Sequence, residues 1–261
     1  MMKKRYRSNN LPLFKLFPSV ITLSTLFFGT LAVYHSMMMH WEKACFFIII
    51  AAIFDVLDGR FARILNAQSD FGANLDSLCD FANYTIFPSI IIYNWSLWNH
   101  GLAGWSAVMI SSLCGAIRLA RFNVSDSAVS HPIKKMFFIG IPSPAAGILI
   151  LLPLLISISF DIAKIQYPPF YVYEIYTALV SILMITTIPT LSLKYFKIPR
   201  KYTPIALVMV GFILISFVIF KLQAVVVYAI GYLMLIPIVF WKYSSMMKEH
   251  RKNHKYSTDE E

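Results

Sequence analysis

Charge is what this chain has least of. Asp, Glu, Lys and Arg together make up 14% of its 261 residues, against about 25% in an ordinary soluble domain. So little charge excludes a soluble globular enzyme, and a disordered chain, which needs low hydrophobicity and high charge. Cysteine is also rare. Cys45, Cys79 and Cys114 are the only three. They stand far apart inside apolar stretches and match no zinc spacing, which excludes a disulfide framework and points to packing roles. Acids are few as well, 13 against 23 basic residues, for a formal net charge of +10. No internal repeat is visible, and no soluble-length segment interrupts the apolar runs, so a second domain is not expected.

The remainder is apolar. Hydrophobic residues are 58% of the chain, with 21 Phe, 14 Tyr and 12 Met. A bilayer core of about 30 Å takes about 20 apolar residues per helix. On that measure eight spans are expected, at about 17–35, 41–64, 72–97, 102–121, 142–160, 171–193, 203–220 and 223–241. The fold class expected is therefore an all-α integral membrane bundle. It has a basic arm at 1–16, one transmembrane domain at 17–241 and a tail at 242–261, whose last part (248–261) reads as a solvated, unstructured extension. The basic head (Lys3, Lys4, Arg5, Arg7, Lys15) is followed by no small-residue cleavage site, so it does not read as a signal peptide.

Basic residues orient the bundle. With both ends in the cytoplasm, only Lys43, Lys164 and Lys221 of the 23 Lys and Arg fall on the outer side. That asymmetry accounts for most of the +10 without nucleic acid as a partner. Trp41, Trp95, Trp98, Trp105, Tyr167 and Phe170 lie at outer span ends, as an interfacial belt requires.

Five of the 13 acids fall between positions 55 and 80. Asp55 and Asp58 lie in the second expected span, Asp76 and Asp80 in the third. One ionisable group within a membrane helix costs about 2.5–3.5 kcal/mol on insertion scales, so four in one hairpin need neutralising. At 100° per residue Asp55, Asp58, Gly59 and Ala62 share one stripe, and Gly72, Asp76 and Asp80 share another. The connection 65–71 is short and polar, so the stripes can face each other near the inner surface. An all-carboxylate donor set suits hard cations such as Mg²⁺ or Mn²⁺ rather than zinc. A pair of such ions is suited to phosphate-ester transfer, and a carboxylate not fully committed to metal can take a proton from an attacking hydroxyl. The competing explanation is a buried ion-pair cluster with Arg60 and Arg63.

The stretch Asp55-Val-Leu-Asp58-Gly59-Arg-Phe-Ala62-Arg63, eight residues, Gly72-Ala-Asn-Leu-Asp76-Ser-Leu-Cys-Asp80 resembles the signature of the CDP-alcohol phosphatidyltransferases at every fixed position. The resemblance implies that Asp55, Asp58 and Asp76 are metal ligands. Asp80 would contact a second metal and act as base toward the acceptor hydroxyl. It further implies that Gly59 and Ala62 admit cytidine close to the backbone, and that Arg63 and Gly72 help hold the nucleotide and diphosphate. The segment Pro18-Ser19-Val-Ile-Thr22 is similar to a family motif at the start of the first span, which places Thr22 beside the nucleotide. Ser19 replaces the family's Asn there.

Two more segments, Arg118-Leu-Ala-Arg121-Phe-Asn123 and Phe138-Ile-Gly140-Ile-Pro142-Ser143-Pro144, are similar to parts of the membrane phosphatidylserine synthases of bacteria and archaea. That likeness implies CDP-diacylglycerol and L-serine as substrates, phosphatidylserine and CMP as products, and a homodimer in the cytoplasmic membrane. Arg118 and Arg121 could hold the serine carboxylate by paired hydrogen bonds, with Asn123 and Ser143 completing the pocket. The alternatives are the same chemistry on another acceptor, such as glycerol 3-phosphate or an inositol phosphate, and a cation-coupled transporter. The transporter fits poorly with acids confined to one inner hairpin.

Overall fold

The structure, a computed structural model, describes residues 16–125, 137–160, 169–186, 189–191 and 202–258. The described residues are almost wholly helical. Its elements are α1 (Phe17–Met37), α2 (Trp41–Ile64), α3 (Asp70–Phe81), α4 (Phe87–Ile92) and α5 (Gly101–Ser125), then β1 (Phe137–Ile139), α6 (Ser143–Ser159), α7 (Phe170–Ile185), β2 (Pro189–Leu191), α8 (Thr203–Phe220) and α9 (Leu222–Thr258). Two wide π-helical turns, Ala82–Ile86 and Tyr93–Leu97, join α3 and α4 to the next reversal.

Helix α1 shows which solvent the fold is built for. Its buried face is Pro18, Thr22, Thr25, Gly29, Ala32 and Ser36, at alternating spacings of four and three. The large residues Val20, Leu23, Phe27 and Tyr34 are exposed. Small and polar inside with large and apolar outside is the arrangement expected when the surroundings are lipid and helices associate by close backbone approach. A Cβ on Gly29 would overlap Asn83 Oδ1 and stand 2.6 Å from the Phe87 ring, so this glycine sets the α1–α4 distance. Asn83 donates to Thr25 Oγ1 at 3.1 Å and Asn94 to Ser36 Oγ at 2.9 Å, pinning the two π turns that flank α4 to α1 by polar contacts.

Among the described residues, four helical stretches are long and apolar enough to cross a membrane: Phe17–Met37, Asp70–Asn123, Thr203–Phe220 and Leu222–Ser245. The second contains a reversal at Gly101, whose φ of +55° is a conformation glycine adopts without steric cost. Ser143–Ser159 and Tyr171–Ile185 are shorter apolar helices. Helix α2 is interrupted by its own charges, Glu42, Lys43, Asp55, Asp58, Arg60 and Arg63. Helix α6 is the most enclosed element, burying Ala146, Leu149, Ile150, Leu151, Leu154 and Leu155. It packs against α2, α4, α7 and α9, and α8 touches chiefly α9.

Three expectations change. The span at 171–193 ends its helix at Ile185. Thr186, Thr187 and Ile188 are β-branched and precede Pro189, a combination that disfavours helix. Pro189–Leu191 instead pairs antiparallel with Phe137–Ile139, so a small two-stranded ladder stands inside a bundle expected to be purely helical. The tail expected to be unstructured from 248 is helical through Thr258. It holds no Gly or Pro and extends a helix already nucleated within the bundle, where adding each residue is inexpensive. The basic arm, apart from Leu16, lies outside the described residues, as do Tyr167 and most of the 122–141 loop.

Candidate active site

The hairpin α2–α3 builds the site. Ser69 caps α3, its Oγ accepting from Gly72 N at 3.0 Å. This satisfies one of the unpaired amides of the first turn, and Asp70 follows at the positive end of the helix dipole. The polar link 65–69 returns the chain antiparallel. Asp55, Asp76 and Asp80 then meet: one carboxylate oxygen from each lies within 4.8 Å of the others. At 1.5 Å per residue the three acids stand about 9–15 Å along the helices from the hairpin ends. Asp58 is not one of the three. It is 3% exposed, lies beside Thr22, and faces the neighbouring cavity.

These acids are not spent on Arg60 or Arg63. Arg60 is exposed, and Arg63 donates its Nε–H to Gly59 O at 2.9 Å. Asp58 Oδ2 and Asp80 Oδ1 are buried with no hydrogen-bond partner. Unpaired buried carboxylate oxygens are costly, and hard divalent cations bind such oxygens. The donor set therefore fits a hard divalent cation such as Mg²⁺ or Mn²⁺, which Asp55, Asp76 and Asp80 are close enough together to share.

Two polar cavities meet at Asp76. The first, about 320 Å³, is lined by Pro18, Ser19, Thr22, Asp58, Gly59, Ala62, Arg63, Ala67, Gln68, Ser69, Gly72, Ala73 and Asp76. Thr22, Gly59, Ala62, Arg63 and Gly72, the residues expected to border the nucleotide, are all on that wall. A Cβ on Gly59 would have no atom within 4 Å, so nothing in the chain itself requires a glycine there, and the space it leaves belongs to the cavity.

The second cavity, about 220 Å³, is lined by Asp76, Ser77, Asp80, Phe81, Thr85, Gly115, Arg118, Leu119, Phe122, Pro142, Ser143 and Pro144. Arg118 is held in place by bonds from its Nε–H to Ile141 O at 3.1 Å and from its Nη1 to Ser143 Oγ, and it faces Asp80. The structure thus brings Arg118 and Ser143 to the acids and leaves Arg121 and Asn123 elsewhere. Arg121 donates to Ile185 O at 2.5 Å, tying the end of α5 to the end of α7, and Asn123 is exposed. Arg121 stands about one turn further along α5, where it reaches the end of α7 and not the second cavity, and the five-residue step turns Asn123 off the face that Arg118 presents.

A third, apolar groove of about 440 Å³ runs between α2, α6 and α9 and is closed by Phe217 of α8. Its α2 wall, Ile49, Ala52, Ile53, Val56 and Leu57, begins beside the acids. Sequence reasoning missed this groove, the Gln68 and Ser69 rim, and Thr85 and Gly115. None bears charge, and only the fold assembles them.

The profile of the CDP-alcohol phosphatidyltransferase family matches residues 15–187, the segment that holds the acids and both polar cavities. The chain belongs to that family. Among relatives of this family member, the CDP-diacylglycerol–serine O-phosphatidyltransferase of Helicobacter pylori strain J99 is 39% identical over 142 residues, covering 54% of this chain and 58% of that protein. The protein of the same name from Bacillus subtilis strain 168 is 33% identical over 166 residues, 59% of this chain and 90% of that one. That from Mycobacterium tuberculosis strain H37Rv is 29% identical over 224 residues, 85% and 77% respectively. The match thus spans little more than half the length of the Helicobacter relative.

Proposed function

We propose that this CDP-alcohol phosphatidyltransferase moves the phosphatidyl group from CDP-diacylglycerol to the hydroxyl of L-serine, giving phosphatidylserine and CMP. The observation that carries the reading is one acid cluster shared by two polar cavities. One bears the nucleotide motif. The other bears a single cation, Arg118, among its lining residues. The names of the relatives support the serine acceptor, and one guanidinium suits a carboxylate better than the doubly charged phosphate of glycerol 3-phosphate.

In this reading the cytidine lies against Gly59 and Ala62, bordered by Thr22, Arg63 and Gly72. The acyl chains leave along the apolar groove. Asp55, Asp58, Asp76 and Asp80 hold two divalent ions, Mg²⁺ or Mn²⁺, which when bound neutralise the diphosphate and the charge building on the attacked phosphoryl oxygens. Arg118 holds the serine carboxylate through guanidinium protons left free by Ile141 and Ser143. The serine hydroxyl then points at the phosphorus that bears diacylglycerol. Asp80 takes the hydroxyl proton as the new P–O bond forms. The P–O bond to CMP breaks, and CMP leaves with that electron pair. Arg121 and Asn123 stand outside the pocket in this reading.

The topology proposed is eight spans in one catalytic domain at 17–241, with the arm 1–16, the tail 242–261 and the active site on the cytoplasmic face, in a bacterial-type inner membrane and as a homodimer. The test is purified protein with CDP-diacylglycerol, Mg²⁺ or Mn²⁺, and serine, glycerol 3-phosphate or an inositol phosphate, with CMP measured. Serine-dependent CMP release is expected. Release driven by glycerol 3-phosphate and not by serine would overturn the acceptor.

A further inference from the structure

Tyr84 has no part in the mechanism so far, yet it stands against its centre. Its side chain is 1% exposed, and its hydroxyl is buried with no hydrogen-bond partner. A buried, unpaired phenol costs about 1–3 kcal/mol. Its polar neighbours are Asp55 and Asp80, two of the three clustered acids. The backbone makes this placement deliberate. Pro88 has no N–H to give to the carbonyl of Tyr84, and its ring would crowd that carbonyl in a regular helix. The chain widens instead into the π turn Ala82–Ile86, a feature frequent at functional sites. Two glycines then let helices close on the turn. A Cβ on Gly147 would lie 3.0 Å from Tyr84 Cα and 3.2 Å from its ring, and a Cβ on Gly115 would overlap Thr85. The ring is therefore clamped with its hydroxyl directed at the carboxylates.

We propose that Tyr84 is a positioning residue that donates a hydrogen bond to the Asp55 carboxylate and fixes the oxygen that Asp55 presents to a divalent ion. A carboxylate that spends one oxygen on a metal keeps another to accept from a neighbour, and such outer partners are typically worth about 10–100-fold in metal affinity or activity. The inference rests on the metal-dependent reading above and extends it to a residue outside the signature.

The test is Mn²⁺ titration of purified wild type and Tyr84→Phe, following the signal of free Mn²⁺ by electron paramagnetic resonance. Apo thermal unfolding and CMP release are measured alongside. Tyr84→Phe keeps the ring and its packing. It is expected to weaken Mn²⁺ binding about 10-fold, to leave the apo midpoint equal or higher, and to recover kcat at saturating Mn²⁺. Unchanged Mn²⁺ affinity, or a loss of kcat that excess Mn²⁺ does not restore, would overturn the assignment. If wild type binds Mn²⁺ no better than Asp76→Asn, the metal reading itself fails and the Tyr84 assignment falls with it.

Discussion

Replacing Arg118 by Lys separates recognition of the acceptor from every other step. Arg118 is half-buried, and bonds to Ile141 O and Ser143 Oγ fix its plane, so its remaining protons point into the second cavity. Lysine keeps the charge and loses the fork. It can hold a carboxylate as a point charge only, so one charge-assisted hydrogen bond is lost. Such a bond contributes about 1.5–3 kcal/mol, which corresponds to roughly 10- to 150-fold in KM for serine. The first cavity does not include Arg118, so KM for CDP-diacylglycerol should change less than about twofold, well under the 1.4 kcal/mol that a tenfold change represents. The assay is CMP release in detergent micelles with serine varied at saturating lipid, then lipid varied at saturating serine. An unchanged KM for serine, or equal rises for both substrates, would refute the placement of serine beside Arg118.

Other substitutions address the remaining parts of the site. Gly59→Ala adds a methyl that meets nothing in the chain, and alanine favours helix over glycine by about 1 kcal/mol. The variant should unfold at an equal or higher temperature while its KM for CDP-diacylglycerol rises severalfold; an unchanged KM would remove the nucleotide from that wall. Asp80→Asn should abolish CMP release while nucleotide-lipid binding persists in part, and wild-type turnover in this variant would exclude Asp80 as base. Gly29→Ala forces a methyl onto Asn83 and Phe87 and should destabilise by about 1–3 kcal/mol, read as a lower midpoint in detergent. Ala229→Phe fills the apolar groove. It should slow turnover of long-chain donors more than short-chain ones, and equal slowing would place the acyl chains elsewhere.

Much of the hairpin was legible because its chemistry is local. The spacing of Asp55, Asp58, Asp76 and Asp80 on helical stripes is set by 3.6 residues per turn, and the short polar link leaves only an antiparallel return. Gly29 and Gly147 both meet a neighbouring helix, the close approach that a glycine inside an apolar span permits. What was not legible depends on register between distant elements. Arg118 and Arg121 are indistinguishable by charge and by distance from the membrane edge. Only the rotation of α5 against α6 and α7 sends one to Ser143 and the other to Ile185. Tyr84 lay one turn beyond Asp80 and looked like one more apolar aromatic. Its approach to Asp55 needs the π turn that Pro88 induces. The strand pairing of 137–139 with 189–191 joins segments about 50 residues apart and leaves no periodic signal in either. The last helix runs past its expected end because 242–258, though charged, holds no Gly or Pro to stop a helix already formed.

The central claim is that the α2–α3 acids hold divalent ions where the nucleotide and acceptor cavities meet. Anomalous diffraction from crystals grown with Mn²⁺ and a CDP-bearing lipid tests it most directly. The account predicts two Mn²⁺ peaks among Asp55, Asp58, Asp76 and Asp80, with the diphosphate bridging them. Those four carboxylates free of any peak, or paired with arginine side chains instead, would contradict it.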